Sequence, residues 1–202
     1  MYDYFHRISE EKQRHIIDSA MQVFARHGYH KASTNEIVKL AGISKGLLFH
    51  YFGSKPGLFC YLYRYSLDYT MTNAPGYDYS NKDLFDTIDR INNAKLNMMI
   101  DYPAMAQFMV KAYFETHSDV ADFIQKANQS YSSTNLTVIK DGINTDHLKE
   151  GLDIDAVWDA LMWISDGFMK MQVERGITDA KQLFEEFEIY KSILKYGIYK
   201  EE

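Results

Sequence analysis

The chain contains a single cysteine, Cys60, among 202 residues. One thiol excludes an intramolecular disulfide and is typical of a reducing compartment. No apolar run approaches the roughly 18 residues that a membrane-spanning helix requires. The first twelve residues, MYDYFHRISEEK, also lack the charged-then-apolar order of a secretory signal peptide. We therefore expect a soluble, cytoplasmic protein with no membrane partner.

Patterns of β-structure are missing as well. No alternation of Val, Ile and Thr is bounded by hairpin turns, and no internal repeat is present. Residues 1–8 form an aromatic arm too short to fold alone, which frays or packs on a neighbouring helix. Beyond the arm, apolar residues recur every three to four positions, so we predict an all-α protein without strands. The predicted helices cover about 9–28, Ser33–Ala41, 44–52, a long helix from Ser54, 82–101, 103–115, 118–142, 154–175 and 179–199, with a loop at 75–81.

Signatures of catalysis are also absent. The sequence holds no glycine-rich phosphate loop, no nucleophile elbow and no paired histidines on one helix. His27 and His30 lie three residues apart, but no nearby carboxylate or cysteine completes a metal site. His117 and His147 fall at predicted loop edges and suit a metal no better. We predict that the chain is not an enzyme and has no metal or cofactor site.

Charge is distributed unevenly along the chain. Residues 1–55 carry eight Lys and Arg against five Asp and Glu, a net charge of +3. The whole chain has a net charge of −6, which leaves −9 for the remaining 147 residues. A negative total argues against a general nucleic-acid binder. A basic head on an acidic body instead suits a protein whose head alone meets phosphates.

The stretch from Ser33 to Lys55 organises this head. Ser33 and Glu36 form an S-x-x-E capping box, in which hydroxyl and carboxylate satisfy amides at a helix start. Gly42 is placed to end that helix in a left-handed conformation, and Ser44 can cap a second helix. Two short helices joined by a tight turn form the helix-turn-helix plan, whose second helix enters the DNA major groove. We predict a three-helix head over residues 1–53 and a helical ligand-binding and dimerisation body over 54–202.

The run from Ile16 to Leu58 resembles the DNA-binding head of the TetR (tetracycline repressor) family. The resemblance rests on three motifs, Phe24-Ala25-x-x-Gly28-Tyr29, Ile37-x-x-x-Ala41-Gly42-Ile43-Ser44-Lys45-Gly46 and His50-Tyr51-Phe52-x-x-Lys55. The rest of the chain resembles the family in architecture, except that residues 139–143 and 152–155 look like the loop that commonly precedes the first dimerisation helix of this family. The resemblance implies a transcriptional regulator, in the first instance a repressor, that binds a pseudo-palindromic operator in double-stranded DNA.

The resemblance also implies which residues contact DNA. The start of the first helix of the motif would lie near a phosphate, and Lys45 would reach a guanine edge or a phosphate. The family often has threonine where this chain has Leu47 and tyrosine where it has Phe49, so apolar contact carries more of the readout here. Alternatively, these two side chains merely pack. The implied contacts are Ser33, Thr34, Asn35, Lys45, Gly46, Leu47, Phe49, His50, Tyr51 and Lys55.

The last two predicted helices are apolar on two sides, and both sides must be covered. Either both sides pack within the monomer, or a second copy covers one of them in a four-helix interface. We favour an isologous homodimer, because a two-fold operator needs two heads held roughly 34–36 Å apart. The predicted interface residues are Trp158, Leu161, Ile164, Phe168, Phe187, Tyr190 and Leu194.

A run of methionines and aromatics in the middle of the chain suits a small hydrophobic or cationic effector, since these side chains adapt to irregular shapes and accept cations. Alternatively, they are ordinary core residues. Binding would release the dimer from its operator by shifting the helix that begins at Ser54. The rivals are an effector-independent DNA-binding dimer acting through a protein partner, and a ligand-binding protein that has lost DNA binding. The predicted ligand contacts are Met98, Tyr102, Met105, Phe108, Met109 and Tyr113.

Overall fold

The computed structural model describes residues 2–73, 80, 82–131, 137–176 and 179–200. Over these residues the chain forms eleven helices and two strands of two residues each, which confirms the all-α fold class. The elements are α1 (Asp3–His6), α2 (Glu10–Lys31), α3 (Thr34–Ala41), α4 (Lys45–Phe52), α5 (Lys55–Asn73), β1 (Lys82–Asp83), α6 (Leu84–Asp101), α7 (Pro103–Tyr113), α8 (Ala121–Tyr131), α9 (Thr137–Asp141), β2 (Ile143–Asn144), α10 (Ile154–Glu174) and α11 (Ala180–Ile198).

Three details differ from the sequence predictions. The prediction of no strands is wrong, because β1 and β2 pair in parallel with Lys82 opposite Ile143. Strands of two residues are too short to show an alternating pattern. Gly28 does not end α2, which continues to Lys31 across a kink where the φ angle of Gly28 is 70°. The helix predicted over 118–142 is present as α8 and α9, and residues 132–136 between them lie outside the described residues, as do 74–79 and 81 of the predicted loop.

The chain divides into two compact units. The first unit comprises the chain up to Asn73 together with Tyr102–Ser130, and the second comprises the intervening segment and the chain after Ser130. The first unit thus holds α5, α7 and α8 together with the three predicted head helices, and the predicted domain boundary between residues 53 and 54 stays a prediction. Within the first unit, α2 packs most extensively against α7.

Aromatic side chains dominate the core of the first unit. The ring of Phe24 on α2 lies 5.0 Å from that of Phe59 on α5 and 6.1 Å from that of Phe108 on α7. All three rings are almost fully buried. Complete burial of one such ring stabilises the fold by roughly 1.5–3 kcal/mol. The same aromatic cluster therefore holds the head to α5 and α7.

The core of the second unit is formed by α6, α10 and the segment around β2. Its buried residues are Leu84, Phe85, Ile88, Ile139, Leu148, Val157, Trp158 and Leu161. The Tyr199 hydroxyl donates a hydrogen bond to the Asp83 carboxylate, which fastens the end of α11 to β1. Burial lowers the pKa of Lys191 on α11, but hydrogen bonds to Asp89 and Glu188 outweigh that effect and raise it.

No helix of the described residues is long and apolar enough to cross a bilayer.

Gly57 in the first turn of α5 tests how tightly this helix follows α4. A Cβ atom at Gly57 would lie 2.1 Å from the Phe52 carbonyl oxygen, a backbone atom that cannot rotate away. We expect Gly57→Ala to lower the free energy of unfolding by about 1–3 kcal/mol, the usual cost of overpacking. Thermal and urea unfolding followed by circular dichroism would measure the change.

Gly46→Ala is the matched control, because its Cβ would meet only the Ser44 Oγ atom at 4.0 Å. That substitution in α4 should leave stability unchanged or raise it slightly, since alanine favours helix over glycine. Equal stability of the two variants would contradict the close approach of α4 and α5.

Candidate nucleic-acid interface

Three serines set the geometry of the helix-turn-helix. The Ser33 Oγ atom accepts a hydrogen bond from the Asn35 amide at 3.3 Å, and the Ser44 Oγ atom accepts one from the Leu47 amide at 3.1 Å. The Ser54 Oγ atom accepts one from the Gly57 amide at 3.1 Å. Each contact satisfies an amide that the first turn of a helix leaves without a partner. Between α3 and α4, Gly42 adopts the left-handed conformation with a φ angle of 64°, as its position predicts.

The predicted capping box is wrong in one half. The Ser33 hydroxyl caps α3, but the Glu36 carboxylate does not reach back to the helix start. It lies instead 3.1 Å from the His27 Nε2 atom and 3.4 Å from an Arg26 nitrogen, both on α2. A carboxylate gains more from a cationic partner than from one amide. Glu36 thereby joins α3 to α2.

Most of the predicted DNA contacts are accessible to solvent. On α3 and α4 the side chain of Lys45 is exposed, and its ammonium lies 5.9 Å from the centroid of the Phe49 ring. Leu47 and Phe49 are half-buried, so each ring or chain presents one edge to solvent and packs with the other. The exposed members are Ser33, Asn35, Lys45, Gly46 and His50, and the half-buried ones are Thr34, Leu47 and Phe49.

Tyr51 and Lys55 are engaged inside the head instead. Tyr51 is 9% exposed, and its ring meets that of Phe5 edge-on at 5.4 Å. The Lys55 ammonium donates to the His30 carbonyl at 3.1 Å and lies 4.8 Å from the centroid of the Tyr29 ring. Burial lowers the pKa of Lys55, against the nearby carboxylates that raise it. Lys55 therefore fastens the start of α5 to the end of α2.

Tyr29 extends this junction to the connection between α7 and α8. Its hydroxyl donates to the Asp119 carboxylate at 2.8 Å, and burial followed by this hydrogen bond raises the pKa of Tyr29. The Tyr29 ring also lies 4.9 Å from the His117 ring. Sequence reasoning missed this contact, because the partners are 90 positions apart and only the motif position of Tyr29 gave a signal.

The N-terminal arm lies against the recognition helix α4. Phe5 of α1 is fully buried, and its ring lies 4.8 Å from that of Phe52 and 5.4 Å from that of Tyr61. The Tyr4 side chain, by contrast, is 58% exposed, and its ring centroid lies 4.6 Å from that of His50. Of the two expected outcomes for the arm, the packed one is observed.

The predicted ligand residues are divided between the two units. Met105 and Phe108 are buried in the core of the first unit, as the alternative of ordinary core residues requires. The Tyr102 hydroxyl donates to the Asp18 carboxylate on α2, and the Met109 sulfur lies 3.9 Å from the Thr70 Oγ1 atom. Met98 is half-buried on α6 of the second unit, and Tyr113 is 40% exposed.

The predicted dimer residues also fall into different environments. Trp158, Leu161 and Phe168 are buried within the protomer, so their surfaces are already covered. Ile164, Phe187 and Leu194 are half-buried, and Tyr190 is 43% exposed. A set of apolar side chains on α10 and α11 that shares only Tyr190 with these predicted residues is open to solvent, and we call it the outer face. It consists of Trp163, Met171, Ile189, Tyr190, Ile193 and Tyr196, with Trp163 73% and Tyr196 81% exposed.

None of the described residues group into a cluster of three or more His, Cys, Asp or Glu side chains that could hold a metal ion.

Comparison with known proteins identifies the head. Residues 16–62 match the model of the bacterial regulatory proteins of the tetR family. The helix-turn-helix head of the chain is therefore of the TetR type. Over 63 residues it is 41% identical to the helix-turn-helix transcriptional regulator YuxN of Bacillus subtilis, which covers 31% of this chain and 22% of that protein. The match thus spans about a fifth of that relative.

Two further known proteins align with most of this chain. It is 23% identical over 149 residues to the fatty acid metabolism regulator protein of Bacillus subtilis, which covers 71% of this chain and 74% of that one. The fatty acid degradation regulator FadR of Bacillus halodurans has a similar fold, with a TM-score of 0.66 and 19% identity. That alignment covers 90% of this chain and 97% of the other.

Proposed function

We propose that this chain is a homodimeric transcriptional regulator of the TetR family, acting as a repressor that binds a pseudo-palindromic operator in double-stranded DNA. The observation that carries the proposal is the helix-turn-helix in which α4 presents an exposed cation, Lys45, next to partly open apolar side chains. The net charge of +3 over residues 1–55 supports attraction of this head, rather than of the whole acidic chain, to phosphates.

The residues of the interface fall into two roles. Lys45 and His50 supply positive or hydrogen-bonding groups to phosphates or a guanine edge. Leu47 supplies an apolar surface that fits a thymine methyl group but cannot donate a hydrogen bond. Lys55 keeps a structural role in this proposal, because its ammonium already bonds the His30 carbonyl.

The outer face of α10 and α11 is the proposed dimer interface. Ile189, Ile193 and Tyr196 recur at helical spacing on α11, so they form one stripe, and Trp163 lies on the neighbouring helix. Exposed apolar groups of this size mark interaction surfaces. In an isologous dimer the outer face of each chain covers that of the other. The dimer also provides the two heads that a two-fold operator requires.

The proposed effector is a small hydrophobic molecule, and a long acyl chain is the form we favour over a cation. The similarity to the fatty acid metabolism regulator of Bacillus subtilis supports this choice. Met98 and Lys95 also lie one turn apart on α6, where they offer an apolar and a cationic group side by side. The side chain of Lys95 is exposed to solvent. Nearby protein atoms desolvate its ammonium and lower its pKa, although the charge of Asp166 acts in the opposite direction. The carboxylate of a free fatty acid, or a phosphate of the coenzyme A in an acyl-coenzyme A thioester, would complement this lysine.

The contact of α7 with α2 offers a route by which binding could reach the head. Phe108 packs on Phe24, and the Tyr102 hydroxyl donates a hydrogen bond to the Asp18 carboxylate. A shift of α7 would therefore move α2. This extends the sequence hypothesis, in which α5 alone carried the signal. A coupling free energy of about 1–3 kcal/mol between effector and operator would suffice for regulation.

The DNA-binding proposal predicts opposite outcomes for two lysines of the head. Lys45→Ala should weaken binding to DNA and lower the slope of log affinity against log salt by about 0.9, the loss of one phosphate contact. Lys55→Ala should leave that slope unchanged and lower the melting temperature, because it removes a contact inside the head. Fluorescence anisotropy with a genomic fragment selected by the wild-type protein would measure both slopes, and thermal unfolding followed by circular dichroism would measure the melting temperature.

Lys126→Ala is the control, because that side chain is 72% exposed on α8 and pairs only with Asp122 among the contacts described. Failure of the wild-type protein to retain any genomic fragment at moderate salt would favour the rival of a ligand-binding protein that has lost DNA binding.

The dimer proposal predicts that a charge on the outer face separates the chains. Trp163→Asp combined with Tyr196→Asp should convert a dimer at micromolar concentration into a monomer, since it places two carboxylates in an apolar interface. Sedimentation velocity would measure the change. Leu40→Asp on α3, an exposed apolar residue outside the outer face, should leave the dimer intact. A wild-type monomer, or a double variant that stays dimeric, would contradict the proposed interface.

The effector proposal predicts that palmitate or palmitoyl-coenzyme A releases the protein from its selected DNA fragment. Lys95→Met should raise the concentration needed for release by about tenfold or more, the usual effect of removing a charge-assisted hydrogen bond. Lys181→Met, at a side chain that is 84% exposed on α11, should not. DNA binding that neither compound alters would support the effector-independent rival.

A further inference from the structure

The N-terminal arm and the recognition helix share one accessible row of side chains. The Arg7 guanidinium carbon lies 5.3 Å from the centroid of the Tyr4 ring, and the Tyr4 ring lies 4.6 Å from that of His50 on α4. Arg7 and His50 are exposed, and so is more than half of Tyr4. The row therefore runs from α4 onto α1 as a continuous surface of cationic and aromatic groups.

The arm is held in place by contacts on its other side. Phe5 is fully buried between Phe52 and Tyr61, and the Tyr2 ring lies 4.6 Å from that of Tyr61. The Gln13 side chain donates from Nε2 to the Ile8 carbonyl at 2.8 Å, which fixes the connection from the arm to α2. With Phe5 as an anchor, neighbouring residues of this short helix must point away from the core. Tyr4 and Arg7 are thus presented outward.

The position of the row on α4 indicates what it meets. A recognition helix contacts base edges with its N-terminal residues, where Lys45 lies. His50 is five residues further on, about 7.5 Å along the helix axis, and the arm lies beside it. Because the major groove is only about 12 Å wide, the far end of α4 and the arm face the sugar-phosphate wall of the groove.

We propose that Arg7 and Tyr4 form a phosphate-binding extension of the DNA interface, a site outside the residues of the helix-turn-helix. Arg7 offers a planar fork of donors that suits phosphate oxygens, and the Tyr4 hydroxyl is a further donor. Stacking of the guanidinium on the Tyr4 ring limits its freedom before DNA arrives. The extension fits the backbone of the same duplex that α4 reads, and it rests on the proposed DNA-binding function.

The charge pattern of the arm supports a phosphate partner over an apolar one. Arg7 and His6 are exposed, and the only carboxylate of the arm, Asp3, lies in the first turn of α1. Contacts to phosphate carry no base information, so the extension should add affinity for all duplexes alike.

The test compares Arg7→Ala with wild type in anisotropy titrations at several salt concentrations. The probes are the selected genomic fragment and a scrambled duplex of the same composition. Loss of one phosphate contact should lower the salt slope by about 0.9 and weaken binding about fivefold near 0.15 M salt, equally on both duplexes. Tyr4→Phe, which keeps the ring, should weaken binding less than Tyr4→Ala, which also frees Arg7.

Arg64→Ala is the matched control, because Arg64 is another exposed arginine stacked on an aromatic ring, 5.4 Å from the centroid of Phe123. It lies on α5 and contacts none of Tyr4, Arg7 and His50 among the contacts described, so its removal should leave the salt slope unchanged. Arg7→Gln removes the charge but keeps a polar side chain with part of the aliphatic stem. It should lower the slope as Arg7→Ala does, so loss of charge can be told apart from a general disturbance of the arm.

Two failures are distinguishable. Wild-type protein that binds neither duplex would overturn the proposed function itself. Wild-type protein that binds, together with Arg7→Ala and Arg7→Gln variants whose salt slopes equal those of wild type and Arg64→Ala, would overturn the extension alone.

Discussion

The packing of α2 against α7 is the contact on which the first unit depends. α2 carries Phe24 into an aromatic cluster with Phe59 and Phe108, so one core serves both the DNA-binding motif and helices far along the chain. A three-helix head of about fifty residues would bury little surface alone, and small domains are marginal for that reason. The shared core gives the helix-turn-helix a rigid support from α5 and α7.

Charged and polar contacts complete the same junction. Three hydrogen bonds tie α2 to its neighbours. Lys55 on α5 donates to the His30 carbonyl, Tyr29 donates to Asp119 before α8, and Tyr102 at the start of α7 donates to Asp18. Each involves a buried or half-buried donor, and removal of one partner would leave the other without compensation. The end of α2 is therefore a place where several elements converge, and regulation by way of this helix would act on the whole motif.

Local signals in the sequence predicted the helices well, because caps, glycines and apolar spacing are short-range properties. Ser44 caps α4 and Gly42 turns the chain as their positions predict. Long-range choices were harder. Glu36 binds His27 instead of the helix start, and Trp158, a predicted interface residue, lies in a core, while Trp163 on the same helix is exposed on the side that carries Asp159 and Asp166. Helical periodicity shows that two sides are apolar, but it cannot show which of them a neighbouring helix covers.

The Lys45 ammonium lies over the ring of Phe49, at a position where a tyrosine would offer a hydroxyl group. A lysine side chain in solution samples many rotamers, and fixing it on a partner costs about 0.5–1.5 kcal/mol of conformational entropy. A ring one turn away restricts those rotamers in the unbound protein. On the proposed DNA interface, Phe49 would offer no hydroxyl to a phosphate but would hold the neighbouring cation in place before binding, so its contribution to affinity would be entropic.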